Sequence, residues 1–555
     1  MHVPCSDNER GIGEEMRNIH KRYITETYDD DGVISKIEFK VPDNFNFGYD
    51  IVDDIGKNDP ERRAVVWCDD RGNSRTLTFS DIMRLSNKTA NYLRSLGVKK
   101  GDGVLVVLKH DYQFWYVTVA LNKLGAVVIP VTSMITKHDA EYRVERSCAK
   151  AVICTSRILG ASAAFDGIDM PIKLMSNGSR EGWTSLDEGV EKASDVLERV
   201  PTLSTEPFLI YFSSGTSGYP KMVLHDHSYP IGHIATAKHW QDVDPEGIHF
   251  TIAETGWAKV AWGKIYGQWI MESAVFVYDF MKFEPSDVLS KISEYKITTL
   301  CCPPTMFRFF INEGLEKYDL SSLKHSSIAG EALNPDVFEN WYKATGLKLM
   351  EGFGQTETTA VVMNSLNMEP RPGSMGKPSP QYYVDVVDLN DKSCAPGETG
   401  EIVIRVSEDP PGIFREYYKD EEKTKTTIYN GYHHTGDVAW KDEDGYFWYV
   451  GRNDDVIKSS GYRIGPFEIE SVVVRHESVL ECAVTGVPDE IRGQVIKATV
   501  VLREGFEATD DLKKDIQNFV KRETAPYKYP RVVEFVKELP KTVNGKIRRM
   551  AIREK

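Results

Sequence analysis

The chain has 555 residues, of which 41% are hydrophobic and 27% are charged. These values are typical of globular proteins and exclude a collagen-like, disordered or wholly membrane-embedded chain, while the length corresponds to about three to four domain-sized units. The formal net charge of -15 disfavours a surface that coats nucleic acid, although it permits a local basic patch around a phosphate-bearing ligand.

The cysteines and the N-terminal sequence bear on the cellular compartment in which the protein is expected. None of the eight cysteines belongs to a C-x-x-C pair, so we expect free thiols in a reducing environment. The first 16 residues lack the apolar segment of a secretory signal, and no window of about 18 apolar residues indicates a membrane span. These features predict a cytoplasmic protein without a membrane span.

Short apolar runs alternate with helical patterns along most of the chain. The first 50 residues are polar, and we expect them to be irregular and peripheral. Runs typical of buried strands follow at residues 103–108, 126–131, 149–154, 208–212, 298–302 and 347–350. A helix is predicted to start near Thr78, with Ile82 and Leu85 on its apolar face. Strands separated by helix-length segments predict layered α/β sheets.

The sequence pattern changes after the turn-rich residues 371–380. Alternating strands are predicted at 401–406 and 446–450, with a hairpin turn at Asp444 and Gly445. A small α+β unit follows, and its clearest helix should run from about Thr509 to Glu523 with Thr509 as the cap. We therefore predict a large N-terminal body over 1–452, including a β-rich subdomain and the peripheral residues 1–50, and a mobile C-terminal domain over 453–555.

The strand at 208–212 leads into residues 213–221, SSGTSGYPK. Glycines and hydroxyls allow backbone N–H groups to converge on phosphate oxygens, and Lys221 adds positive charge. The spacing is not that of a Walker loop. Glycine-serine loops are often plain surface turns, but the preceding strand and the Pro-Lys ending favour phosphate binding here.

Two further segments suit a nucleotide. Residues 351–359, EGFGQTETT, offer glycines for close approach, Phe353 for a base, Thr356 for a phosphate and Glu357 as an oxygen ligand for Mg²⁺. Residues 433–437, HHTGD, end in Asp437, whose carboxylate can accept hydrogen bonds from both ribose hydroxyls. Each segment alone is weak evidence, since such turns also occur without a ligand.

Residues 451–465, GRNDDVIKSSGYRIG, and 539–549, LPKTVNGKIRR, complete a set of five segments. In this order and spacing the set resembles the adenylate-forming superfamily of acyl-CoA synthetases, peptide-synthetase adenylation domains and luciferases. The resemblance runs from about residue 50 to the end. The segments 255–257, 460–466 and 525–531 look most similar to medium-chain acyl-CoA synthetases.

The resemblance implies an acid-thiol ligase that uses Mg²⁺ and ATP to form an acyl-adenylate and then transfers the acyl group to coenzyme A. It assigns Lys546 to both the α-phosphate and the incoming carboxylate. Among the remaining nucleotide contacts that it implies, those at the phosphates are Thr216, Ser217, Gly218 and Lys221 for the β- and γ-phosphates, Thr356 for the α-phosphate and Arg463 for a phosphate, with Glu357 binding Mg²⁺. Those lining the adenine are Gly330, Glu331, Ala332, Gly352 and Phe353, those at the ribose are Asp437 and Arg452, and Glu351, Gly354 and Gln355 are also implied to bind ATP.

For the second half-reaction, the resemblance implies rotation of the small domain about Asp454. The residues that it assigns to coenzyme A are Ser460, Gly461, Tyr462, Arg492, Lys521, Tyr529, Pro530 and Arg531. Cations at Arg492, Lys521 and Arg531 would oppose the nucleotide phosphates of coenzyme A. No nucleic-acid partner is implied, and the oligomeric state, monomer or homodimer, is not specified.

The acyl pocket is predicted from Trp257, Lys259, Val260 and Gly354. Acetate-specific members have a tryptophan where this chain has Gly354, so an acid longer than acetate, of medium or branched chain, is expected. Lys259 is unusual in a pocket segment, and we expect it to point to solvent. The alternatives are an enzyme with the same first step that uses an aromatic acid or a non-CoA acceptor, luciferase chemistry, or a catalytically silent nucleotide-binding protein.

Overall fold

The computed structural model describes residues 18–213, 220–459, 462–489, 492–541 and 547–553. The chain divides into two compact units. The first comprises the residues up to Pro372 together with Gly376–Tyr383 and Arg405–His433. The second comprises Gly373–Met375, Val384–Ile404 and the residues from His434 onward. The second unit thus includes strands that precede residue 452, and the functional boundary at that residue stays a prediction.

The first unit contains two large sheets that are mostly parallel. One has eight strands in the order Glu416–Tyr417, Lys221–Asp226, Pro207–Ser213, Val127–Pro130, Gly103–Val107, Ala151–Thr155, Ile172–Ser176 and Thr184–Ser185. The other has nine strands in the order Lys377–Pro378, Val362–Met363, Leu349–Phe353, His325–Ile328, Thr299–Cys302, Ile248–Thr251, Ala274–Asp279, Arg63–Asp69 and Ser74–Thr78. Strands are antiparallel only toward the edges of the two sheets. The predicted α/β class is confirmed.

Helices connect and cover these strands. The α-helices of the first unit are Asp54–Asn58, Phe79–Ser95, Gln113–Leu124, Lys137–Ser147, Leu159–Ala163, Leu186–Lys192, Tyr229–Gly232, Lys259–Gly263, Tyr266–Ile270, Pro285–Glu294, Pro304–Glu313, Pro335–Thr345 and Glu421–Thr427. Shorter 3-10 and π turns occupy Ile19–Arg22, Gly48–Asp53, Thr236–Trp240 and Leu315–Lys317. Thr78 and Asp81 form a capping box at the start of Phe79–Ser95, which confirms the helix predicted there.

The expectation that the first 50 residues are irregular is wrong for the described residues 18–50, while their peripheral position stays a prediction. Ile24–Tyr28 and Ile34–Phe39 form an antiparallel hairpin. Phe45 and Phe47 are fully buried, and the ring of Phe47 stacks on Trp269 at 6.2 Å between centroids. Most polar residues of this segment face outward, although His20 and Asn46 are buried, and a few apolar side chains complete the core of the first unit.

The second unit is built from two antiparallel sheets. The first contains Val384–Val387, Thr399–Arg405, Tyr432–Lys441 and Phe447–Arg452. The short strand Ile428–Tyr429, which belongs to the first unit, pairs with Tyr432 and His433. The strands Tyr432–Lys441 and Phe447–Arg452 pair with each other, which confirms the hairpin predicted around Asp444 and Gly445. The second contains Tyr462–Ile464, Ile457–Ser459, Gly493–Leu502, Val479–Asp489 and, in parallel with Gly493–Leu502, Val532–Phe535.

In the described part of the second unit the helices are Pro466–Val473, Asp510–Glu523 and Arg549–Arg553, with a 3-10 turn at Pro526–Lys528. Thr509 accepts a hydrogen bond from the Leu512 N–H, so the predicted helix and its cap are confirmed. Throughout the part of the chain that is described, no helix combines the length and apolar character needed to cross a bilayer. The seven described cysteines are all free thiols, as expected.

Candidate functional site

The predicted phosphate loop connects two paired strands. Ser213, the last residue of one strand, pairs directly with Lys221, the first residue of the next. Thr216, Ser217 and Gly218 lie outside the described residues. The pairing nevertheless places the two ends of the loop side by side at one end of the eight-stranded sheet.

Two segments predicted to bind the nucleotide, residues 330–332 and 351–359, meet at one end of the strands of the nine-stranded sheet. The strands Thr299–Cys302, His325–Ile328 and Leu349–Phe353 are parallel neighbours. Their carboxyl ends therefore lie together and lead into residues 303–305, 329–333 and 354–359. In open α/β sheets, ligands usually bind at the carboxyl ends of the strands. The structure thus brings Gly330, Glu331 and Ala332 to the same end of the sheet as the 351–359 segment.

Two tryptophans explain the glycines of the 351–359 segment. A Cβ atom at Gly352 would lie 2.5 Å from Cε2 of Trp240, and one at Gly354 would lie 2.4 Å from Cη2 of Trp262. Both distances are too short for a side chain. The glycines are therefore required for packing against these two rings.

Gln355 and Thr356, which follow these glycines, are held in place by two histidines. Nε2 of His225 lies 2.8 Å from the Thr356 carbonyl oxygen, and Nε2 of His433 lies 3.2 Å from Oε1 of Gln355. Because a carbonyl only accepts, His225 donates from Nε2. Burial lowers the pKa of His225 to about 3, so its ring stays neutral while it fixes the backbone at Thr356.

Glu357 is held through both its backbone and its side chain. The Phe414 N–H donates to the Glu357 carbonyl at 2.8 Å, and the Tyr417 hydroxyl donates to Oε1 at 2.8 Å. The Lys221 ammonium lies 5.0 Å from the centroid of the same tyrosine ring. The structure thus links the predicted phosphate lysine to the predicted metal carboxylate.

The surroundings of Glu357 fit a Mg²⁺ ion that enters with the nucleotide. Glu357 is only 9% exposed. Among the described residues, no group of three or more histidine, cysteine, aspartate or glutamate side chains could hold a metal alone. Mg²⁺ commonly uses one or two protein carboxylates together with substrate phosphates, so a single carboxylate suits MgATP better than a resident metal.

Glu351 supports the adenine segment from within the protein. Its Oε1 accepts the Leu333 N–H at 3.3 Å. Burial raises the pKa of the Glu351 carboxyl from its ordinary value of 4.5 to about 8, so the group is protonated at neutral pH. Glu331, in the same segment, accepts a hydrogen bond from the Thr305 hydroxyl at 2.7 Å.

The expectation that Lys259 points to solvent is wrong. Its ammonium donates to the Ala329 carbonyl at 2.7 Å and lies 4.0 Å from the position of a Cβ atom at Gly330. A carbonyl acceptor draws the amine toward the adenine segment. Lys259 therefore supports the segment predicted to line the base.

The predicted acyl residues surround one short helix. Lys259–Gly263 carries Val260, which is fully buried, and Trp257 precedes it half-buried. Trp262 on this helix was missed by sequence reasoning, although its ring fills the space in front of Gly354. No spacing rule could have found it, since the contact joins residues 92 positions apart.

In the second unit, the two predicted ribose residues face each other. Asp437 pairs with Arg452 across adjacent strands, and the guanidinium lies 3.2 Å from Oδ2 of the aspartate. The Tyr449 hydroxyl donates to Oδ1 at 3.1 Å. Two donors thus orient the Asp437 carboxylate.

The predicted hinge residue lies beside the C-terminal helix of the second unit. Arg553 donates to the Asp454 carbonyl at 3.0 Å and to the Asp455 carboxylate at 2.5 Å. Arg549, on the same helix, pairs with buried Glu470 at 2.7 Å. Lys546, which precedes the helix, lies outside the described residues.

Three of the predicted coenzyme A residues cluster on the surface of the second unit. The Lys521 ammonium lies 4.1 Å and the Arg531 guanidinium 5.0 Å from the centroid of the Tyr529 ring. Arg492 follows Asp489, which accepts its N–H. Ser460 and Gly461 lie outside the described residues, and Tyr462 and Arg463 belong to the strand Tyr462–Ile464.

Comparisons with known proteins cover both units. Residues 52–418 match the family described as AMP-binding enzyme, and residues 468–546 match the AMP-binding enzyme C-terminal domain. The protein named acyl-coenzyme A synthetase ACSM3, mitochondrial, from Mus musculus is 39% identical over 98% of this chain and 97% of its own length. The protein named acyl-coenzyme A synthetase ACSM4, mitochondrial, from Homo sapiens is 40% identical over 98% of this chain and 96% of its own length.

A solved structure is similar in fold over almost the whole chain. The anthranilate CoA ligase AuaEII in complex with anthranoyl-AMP superimposes with a TM-score of 0.84 at 28% identity, covering 93% of this chain and 98% of its own.

The predicted cytoplasmic location is contradicted by these comparisons, because both relatives are named mitochondrial. The prediction was based on the lack of a secretory signal and of a membrane span. Neither feature distinguishes the cytosol from an organelle that proteins enter by a different signal.

Proposed function

Because the chain belongs to the family of AMP-binding enzymes, we propose that it is an ATP-dependent acyl-CoA synthetase. In the first half-reaction, a carboxylate oxygen attacks the α-phosphorus of ATP and the bond to pyrophosphate breaks. In the second, the thiolate of coenzyme A attacks the acyl carbonyl carbon and AMP leaves. The products are acyl-CoA, AMP and pyrophosphate.

The observation that carries this proposal is the arrangement around Glu357. Attack of a carboxylate on a triphosphate brings anion against anion, so the site must supply fixed positive charge and oriented donors. Lys221 and a Mg²⁺ ion that Glu357 would hold would supply that charge. His225 fixes the backbone of Thr356, which would face the α-phosphate.

The roles proposed for the remaining nucleotide residues follow from their positions in the matched family. Asp437 and Arg452 bind the ribose, and their mutual contact in the second unit supports a shared role. Lys546 neutralises the α-phosphate and the carboxylate in the adenylation step. The other proposed contacts are Thr216, Ser217 and Gly218 to the β- and γ-phosphates and Arg463 to a phosphate.

Coenzyme A is the proposed acceptor because both relatives that carry the name acyl-coenzyme A synthetase align over nearly their full length. The two cations on the Tyr529 ring offer positive charge for its phosphates. We propose that Ser460, Gly461 and Tyr462 line its tunnel and that the second unit turns about Asp454 between the two steps.

The proposed acid is longer than acetate, of medium or branched chain. Trp262 occupies the space in front of Gly354, so its ring would form the end of the pocket. An aromatic acid is the second candidate, since the structural neighbour of TM-score 0.84 is an anthranilate CoA ligase.

A panel of carboxylic acids tests the proposal. Acids of two to twelve carbons, branched acids, benzoate and anthranilate are each incubated with MgATP and coenzyme A, and AMP and thioester are measured. We expect stoichiometric AMP and thioester with a medium or branched acid. AMP formation without thioester would refute the coenzyme A acceptor, and no acid-dependent AMP at all would refute the enzyme class.

Lys546→Ala tests the division into two half-reactions. We expect this variant to lose carboxylate-dependent exchange of pyrophosphate into ATP, while it still converts a preformed acyl-adenylate to thioester. Lys537→Ala, at an exposed lysine nearby in sequence, is the control and should retain both activities. Equal loss of both steps in Lys546→Ala would contradict the assignment.

A further inference from the structure

One buried aromatic side chain contacts both charged groups of the predicted phosphate site. Tyr417 is 3% exposed, and its hydroxyl donates to Oε1 of Glu357 at 2.8 Å. The Lys221 ammonium lies 5.0 Å from the centroid of its ring, within the range of a cation–π interaction. Tyr417 therefore couples an anionic and a cationic side chain that come from different segments.

The backbone of Tyr417 is fixed against the same two segments. It lies on the strand Glu416–Tyr417, which pairs with Lys221–Asp226 so that Tyr417 faces Val223. Its N–H donates to the Thr424 hydroxyl at 3.0 Å. The nearby Phe414 N–H donates to the Glu357 carbonyl. The position of the ring is thus set by sheet register and not only by its side-chain contacts.

The chemistry of the two contacts suits positioning of charged groups without cancelling their charge. A hydroxyl donor on one carboxylate oxygen fixes the rotation of the Glu357 carboxylate, which keeps its negative charge and the lone pairs of its second oxygen. An aromatic face attracts the Lys221 ammonium without itself neutralising the positive charge. A carboxylate in place of the Tyr417 ring would neutralise the positive charge of Lys221.

We propose that Tyr417 is a positioning residue for MgATP, whose hydroxyl orients Glu357 toward the metal ion and whose ring holds the Lys221 ammonium toward the phosphates. This inference rests on the proposed function, which supplies the nucleotide and its ion. The two contacts act on different parts of the ligand, and so they are separable by substitution.

Equilibrium binding of ATP to the full chain, measured by calorimetry with Mg²⁺ and again with excess chelator, separates the two contacts. Tyr417→Phe keeps the ring and loses the hydroxyl. We expect it to weaken binding of MgATP by about tenfold, as is typical when a partner of a metal ligand is removed, and to leave metal-free ATP binding unchanged. Tyr417→Leu also loses the ring and should weaken binding in both conditions.

Tyr418→Phe is the matched control, because it removes a hydroxyl from the adjacent residue, and it should bind as the wild type does. Melting temperatures of Tyr417→Phe and wild type should agree. Unchanged MgATP affinity in Tyr417→Phe, or an equal loss with chelator present, would overturn the proposal. Failure of the wild type in the acid panel would instead refute the proposed function, and the binding comparison would still decide the role of Tyr417.

Discussion

Ionisation of Glu351 should limit the stability of the first unit at alkaline pH. Burial raises the pKa of this carboxyl from 4.5 to about 8. Below pH 4.5 the group is protonated in both the folded and the unfolded chain. Between these values only the unfolded chain releases the proton, so the free energy of unfolding falls as the pH rises and the loss is complete above pH 8.

The size of the effect follows from the two pKa values. At about 1.4 kcal/mol for each tenfold change in proton affinity, the difference between 4.5 and about 8 corresponds to about 5 kcal/mol in total. Between pH 6 and pH 8 the wild type should lose roughly 2.5 kcal/mol of that amount. Glu351→Gln keeps an oxygen for the Leu333 N–H and cannot ionise, so it should not show this loss.

Urea unfolding of wild type and Glu351→Gln at pH 6 and pH 8, followed by tryptophan fluorescence, measures the difference. Wild type alone should also show a rising KM for ATP above pH 8, because an ionised carboxylate at this position disturbs the adenine segment. Parallel loss of stability in both proteins over this pH range would refute the reasoning, since it would place the titrating group elsewhere.

Three further predictions concern Gly354 and Trp262 in the first unit and Arg549 in the second. At Gly354, a Cβ atom would lie 2.2 Å from the Thr359 carbonyl oxygen and 2.4 Å from Trp262, so Gly354→Ala should cost about 1–3 kcal/mol of stability. Trp262→Ala should instead shift the acid preference toward longer chains at unchanged KM for ATP, and an unchanged preference would exclude Trp262 from the acyl pocket. In the second unit, Arg549→Met leaves the buried Glu470 carboxylate without the guanidinium that pairs with it at 2.7 Å and should destabilise that unit by about 3–5 kcal/mol. Lys513→Met, which breaks an exposed ion pair, is its control and should leave the unfolding midpoint unchanged.

The sequence predicts secondary structure correctly where neighbouring residues alone determine it. The apolar runs at 103–108 and 149–154 correspond to the strands Gly103–Val107 and Ala151–Thr155, because a strand buried on both faces is apolar throughout. The cap at Thr509 was predictable for the same reason, since one side chain and the helix that follows it define the motif.

Sequence reasoning failed where the determinant is a distant contact. The two buried phenylalanines at Phe45 and Phe47 are isolated in a polar segment, and nothing local indicates the core that receives them. Lys259 is drawn inward by a carbonyl 70 residues away. The glycines at 352 and 354 were read as space for a ligand, whereas the two tryptophan rings account for them.

The candidate site shows the same division. Glu357 and Lys221 were found from motifs. Tyr417, which contacts both, carries no motif because its role depends on the register between Lys221–Asp226 and Glu416–Tyr417. A single sequence does not specify which residues two paired strands bring face to face.

The burial of Phe47 against Trp269 has a consequence for biosynthesis. The two residues are 222 positions apart, which at a synthesis rate of about 5–20 residues per second is a delay of roughly 11–44 s. The N-terminal hairpin waits longer, because the Ile37 N–H donates to the carbonyl of Pro380. Phe47 therefore leaves the ribosome before its partners Tyr266 and Trp269 are made, and the core of the first unit closes only after translation has passed Pro380.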